Sequence, residues 1–177
     1  IPYNDYKKSE KILKKNKKNI SLLIIEPIQQ YIPTYNSYSY IKKIFEFCKK
    51  NNILICFDEM ITGMRSKEFS VQQKLRLKPD LSTFGKIIGG GVPIGVTAIS
   101  KNFETKLKKS NIFLGGTYSA NPFGSYIGLE NLKFILKNKN KFYKKINDIT
   151  DLFYNNLNYF LKQNNFKIRV YRYESMA

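Results

Sequence analysis

Two residues in this chain have the types and positions for chemistry: a carboxylate, Asp58, and an amine, Lys86. Asp58 closes the apolar run Ile53-Leu54-Ile55-Cys56-Phe57 and is followed by Glu59. Lys86 follows Leu81-Ser82-Thr83-Phe84-Gly85, and Gly89-Gly90-Gly91 crowd behind it. Glycine permits close approach and unusual dihedrals at a conformational cost, which suits a place where a large ligand lies against the backbone. An acid and a lysine at the ends of buried strands sit where open α/β sheets bind ligands. Each residue also has a plain structural reading. Asp-Glu after a strand is often a turn or cap, a single lysine is a solvated charge, and a glycine triplet is a loop.

The elements that must position these residues read in order along the chain. Ser21–Ile25 and Ile53–Phe57 are unbroken apolar runs, as in strands buried on both faces. Between them Tyr38–Lys50 carries Ile41, Ile44, Phe45 and Cys48 at helical spacing, which makes a βαβ unit with parallel strands. Glu26 and Asp58 then share one sheet edge. Tyr6–Lys18 reads as a Lys-rich helix with Ile12 and Leu13 inward, and Ser66–Lys78 as a polar linker with a short helix. Val92–Ile99 reads as turn and strand. Pro122–Lys137 is helical with Leu129, Leu132 and Leu136 on one stripe. Lys141–Leu161 is the clearest helix, and Phe142, Ile146, Ile149, Phe153, Leu157 and Phe160 recur as a core-packing stripe. Lys167–Tyr173 alternates as a half-exposed strand does.

Composition narrows the possibilities. The chain has 177 residues and 42% hydrophobic content, enough for a globular core. It has 31 Lys+Arg against 13 Asp+Glu, for a net charge of +18. That excess raises an alternative from outside enzymology, a basic nucleic-acid-binding or scaffold protein. However, lysine is spread along the whole chain and no nucleic-acid motif accompanies it, so nucleic acid is not the expected partner. The absence of histidine excludes His-based triads and the usual zinc sites, and no metal is expected. Cys48 and Cys56 read as small core residues of a reducing compartment. No apolar run approaches membrane-spanning length and no signal-peptide pattern opens the chain, so a cytoplasmic protein without membrane partners is expected.

The run Asp58-Glu59-Met60-Ile61-Thr62-Gly63-Met64-Arg65, with Pro79-Asp80-Leu81, Gly85-Lys86 and Gly89-Gly90-Gly91, resembles the class III aminotransferases that use pyridoxal phosphate. Phe113-Leu114-Gly115-Gly116-Thr117-Tyr118-Ser119-Ala120-Asn121-Pro122 is a second match, and Glu26-Pro27 a third. The opening Pro2-Tyr3-Asn4-Asp5, the glycine triplet and the apolar Ile61 resemble the glutamate-1-semialdehyde 2,1-aminomutase branch. The short Gln29–Pro33 loop is more similar to aminotransferases of surface-polysaccharide synthesis that act on a sugar or other carbonyl acceptor.

The resemblance implies an α/β fold of the type I pyridoxal-phosphate enzymes, with helices on both faces of the large-domain sheet and pyridoxal 5'-phosphate at the strand carboxyl edge. It divides the chain into residues 1–137, part of the large cofactor-binding domain, and 138–177, the start of a small C-terminal α+β domain. It makes Lys86 the Schiff-base lysine and catalytic base, and Asp58 the partner of the protonated pyridine nitrogen. Met60 packs on the cofactor ring, where the family usually has a small β-branched residue. Gly116 and Thr117 bind the phosphate of the neighbouring subunit, which implies a homodimer with a shared site and a small-molecule amino or carbonyl substrate. The family's Ser/Gly-rich phosphate loop and its stacking aromatic have no counterpart in these residues, so the 177-residue segment by itself is expected not to turn over substrate.

Overall fold

The computed structural model describes residues 1–113 and 115–176. Four strands form one mixed sheet: β1 Leu22–Ile25, β2 Leu54–Asp58, β3 Leu81–Gly85 and β4 Gly95–Ile99. Their order is β1-β2-β3-β4. The first three run parallel and β4 is antiparallel to β3. Among the described residues there are six α-helices: α1 Tyr6–Asn16, α2 Ser37–Lys50, α3 Val71–Leu75, α4 Lys101–Lys108, α5 Pro122–Lys137 and α6 Lys139–Gln163. The expected α/β class and parallel βαβ unit are therefore present, with the strands and helices that the sequence predicted up to residue 163 shifted at their ends by at most a few residues, and α4 is an addition that the sequence reading did not contain.

The core lies between β1–β2 and α2. The inward face of α2, made of Tyr40, Ile41, Ile44, Phe47 and Cys48, is buried together with Ile28, Ile55 and Phe57. Each such side chain contributes about 1.5–3 kcal/mol of hydrophobic stabilisation. Asp80 staples this layer to β3. It accepts from the Ile55 N–H at 3.0 Å and from Lys49 Nζ at 2.8 Å. Cys48 and Cys56 are buried and unpaired, and burial pushes the Cys48 thiol up to about 11.

Several expectations fail. Of the two apolar residues expected to turn inward on α1, Leu13 is buried, beside Ser9, and Ile12 is exposed. On α5 the buried residues are Gly124, Gly128 and Ile135, while Leu129 and Leu136 face outward. At Gly128 an added Cβ would come within 3.1 Å of the Ile94 side chain, so this part of the α5 face needs a small residue. On α6 only Tyr143 and Leu161 are buried; Ile149, Phe153 and Phe160 of the expected core stripe are exposed. Helical periodicity reports amphipathicity, but burial needs a second surface, and none among the described residues covers this stripe.

Residues 167–173 do not form a strand. The only pairing there is an isolated bridge between Tyr173 and Met176. Alternation alone is insufficient without a neighbouring ladder, and the segment is held through side chains. Tyr173 is fully buried and accepts from Tyr38 Oη at 3.1 Å. Glu174 pairs with Lys74, and Arg172 with Asp151.

Candidate active site

Asp58 ends β2, and Lys86 begins the 3-10 turn, Lys86–Gly89, that follows β3. Because β2 and β3 are parallel neighbours, their carboxyl ends lie side by side. Asp58, Lys86, Met60 and Glu26 all line one hollow of about 210 Å³. Lys86 and Met60 also line a larger, open cavity of about 980 Å³, whose rim includes Gly116 and Thr117. Asp58 and Met60 thus share the hollow with Lys86, and Gly116 and Thr117 share the larger cavity with it. Gly116 and Thr117 sit on an exposed segment at the rim. Leu114, within the same expected motif, lies outside the described residues.

The backbone at Lys86 has φ +48°, in the left-handed region that a side-chain-bearing residue enters at a cost. The Lys86 amine is exposed and has no ion-pair partner among the described residues. Gly85, just before it, has no room for a Cβ, which would overlap the Met60 methyl and come within 3.0 Å of the Ile94 carbonyl. Met60 thus lies directly over the backbone that carries the lysine.

Asp58 is half-buried, and its Oδ1 accepts two hydrogen bonds at 3.0 Å, from the Met60 N–H and from Thr83 Oγ1. Its Oδ2 has no hydrogen bond among the described residues. Glu59 plays a different part. It is fully buried and accepts from Thr62 Oγ1 at 2.9 Å and from the Val71 and Gln72 N–H groups at 2.8 Å each. It therefore caps α3 from a distance. Burial raises its carboxyl above the usual range, and the two N–H groups and the hydroxyl oppose that shift. The adjacent acids thus separate into one that faces the hollow and one that anchors the loop behind it.

Two supporting residues were not singled out from the sequence. Asn131 on α5 donates to the Ile87 and Ile88 carbonyls, at 2.5 and 3.3 Å, and lies over Gly90, whose φ is +59°. This clamp explains the glycine triplet as a turn that α5 presses upon. Arg65 donates from Nε to the Ile61 carbonyl at 3.2 Å and reaches the Ser175 carbonyl at 3.4 Å, joining the Asp58 loop to the C-terminal segment. Asn131 carries no sequence signal, since an Asn on a helix face is an ordinary surface residue, and Arg65 closes the Asp58–Arg65 run without its local pattern showing what it would join.

A mixed α/β sheet with an acid and a lysine at adjoining strand ends is the architecture of the type I fold expected from the sequence. The aminotransferase class-III family model matches residues 3–172, and the chain belongs to that family. It is 33% identical over 178 residues to a glutamate-1-semialdehyde 2,1-aminomutase of Methanococcus maripaludis strain C5, covering 99% of this chain and 41% of the relative. It is 36% identical over 179 residues to the protein of the same name from Thermosipho melanesiensis, covering 98% and 41%. The chain thus spans about two fifths of the length of these curated relatives. A solved transaminase with PLP bound superposes with a TM-score of 0.81 at 20% identity, over 98% of this chain and 41% of that one, which shows the shared fold. No helix among the described residues is long and apolar enough to cross a membrane.

Proposed function

We propose that this chain supplies the lysine and the acid of a pyridoxal-5'-phosphate-dependent enzyme of amino-group transfer, in the glutamate-1-semialdehyde 2,1-aminomutase branch. The observation that carries the proposal is the shared hollow of Asp58 and Lys86 at the carboxyl ends of neighbouring parallel strands. The residues fit the cofactor. Lys86 offers an amine without an ion-pair partner, Asp58 offers an oxygen without a donor, and the adjoining cavity is open. Pyridoxal phosphate supplies an aldehyde for an amine and an electron-withdrawing ring when its nitrogen is protonated.

In this reading Lys86 Nζ would hold the cofactor aldehyde, and the same amine would move the proton at the substrate α-carbon. Asp58 would keep the ring nitrogen protonated, and Met60 would pack against the ring. Gly116 and Thr117 serve the phosphate of the neighbouring subunit, so the working unit is a homodimer. Both residues are exposed, and a glycine beside a threonine can donate backbone N–H and O–H groups to an anion. Residues 1–137 belong to the cofactor domain, 138–177 open a second domain, and the setting is cytoplasmic.

The full-length gene product, incubated with pyridoxal phosphate and reduced with borohydride, is expected to carry a pyridoxyl group on Lys86 by peptide mass spectrometry. A folded protein without that label overturns the reading. The loop Gln29–Pro33 supports a second reading, transfer to a sugar or other carbonyl acceptor. An aminomutase turns over without an added amino donor, whereas a transaminase requires one.

A further inference from the structure

Thr83 lies on β3 directly opposite Asp58 on β2 in the parallel register. Its hydroxyl donates to Asp58 Oδ1 at 3.0 Å, and the Met60 N–H reaches the same oxygen at the same distance. The Thr83 carbonyl accepts from the Glu59 N–H at 3.0 Å, so backbone and side chain of this one residue both hold the end of β2. We infer that Thr83 is the positioning residue of the site: its hydroxyl occupies Oδ1 and fixes the Asp58 rotamer so that Oδ2 is presented to a cationic ring N–H of a ligand.

The physical case rests on what a strand position otherwise prefers. Valine has the same shape and an equal or better fit to a pleated strand, without a polar group to satisfy. The threonine hydroxyl therefore contributes through its one hydrogen bond, and hydrogen bonds to charged groups are the strong class. A carboxylate held at one oxygen by two donors keeps the second oxygen in place before a ligand arrives. Binding then loses less free energy to ordering the side chain.

This inference rests on the assignment of Asp58 to the ring nitrogen. Its test uses the full-length gene product stripped of cofactor, with pyridoxal 5'-phosphate as the probe and equilibrium binding as the readout. Thr83→Val is expected to raise the Kd about tenfold, and Thr83→Ser, which keeps the hydroxyl, to bring it back to within about threefold of wild type. The thermal midpoint of the cofactor-free protein is expected to stay within about 3 °C of wild type in both variants, because valine suits the strand. In an Asp58→Asn background, Thr83→Val is expected to change the Kd by less than about twofold, since the two substitutions break one interaction. A Thr83→Val protein that binds as tightly as wild type overturns the inference. So does a serine variant as weak as the valine one, or a tenfold loss that persists in the Asp58→Asn background. Failure of the wild-type protein to take up pyridoxal phosphate at all overturns the functional reading itself, and this inference with it.

Discussion

The two ends of this chain use the same sequence patterns to opposite effect. In the first, α2 carries apolar residues at steps of three and four, and those residues form the core against β2. In the second, α6 carries them just as regularly over 25 residues, yet buries only Tyr143 and Leu161. The strands show the same contrast. β2 has three buried residues in a row, and β4, at the sheet edge, has every residue exposed. Periodicity states which face of a helix is apolar; whether that face is covered depends on what else the fold brings to it.

The sharpest way to break this contrast is to remove volume from the first region. Phe57→Ala is expected to destabilise the 177-residue chain by about 3–5 kcal/mol in urea unfolding, because Phe57 is fully buried. A loss below about 1 kcal/mol would place the core elsewhere. The acid next to Asp58 gives a smaller effect. Glu59→Gln puts an NH2 where a carboxylate oxygen now accepts, and so leaves at least one buried donor unpaired. A loss of about 1–3 kcal/mol is expected, with hydrogen exchange rising at the Val71 and Gln72 amides. Unchanged exchange there would remove Glu59 as the cap of α3. The smallest effect belongs to the second region. Phe153→Ser on the exposed α6 stripe is expected to shift the stability of the chain by no more than about 0.5 kcal/mol. A loss of 2 kcal/mol or more would mean that the stripe is covered in solution and would erase the contrast.

The same distinction runs through the site. Asp58, Lys86 and the glycine triplet were legible because strand-end acids, amines and glycines are rare enough in this order to stand out. Met60, Gly116 and Thr117 followed from resemblance, and the structure places them around the same cavities. Glu59, Thr83, Asn131 and Arg65 were not legible in their present roles. Glu59 reads as half of an Asp-Glu pair until the fold brings the α3 N-terminus against it 12 residues later. Thr83 reads as a strand residue until β3 pairs with β2 in register. The strand expected at 167–173 failed because alternation is local and a ladder is not.

By itself, the sequence determined β1 to β4, most of the helices between and after them, the parallel βαβ unit, and the acid and lysine that follow buried strands. These follow from local hydrophobic periodicity and from glycine and proline placement, which act within a few residues. Only the tertiary structure decided which amphipathic faces are buried, which of two adjacent acids faces the hollow, and which hydroxyl holds Asp58. Those outcomes depend on contacts between residues 12 to 44 positions apart, such as Val71 with Glu59, Thr83 with Asp58 and Asn131 with Ile87. Hydrogen bonds of that span exist only after the strands have set their register and α5 has closed on the turn after Lys86.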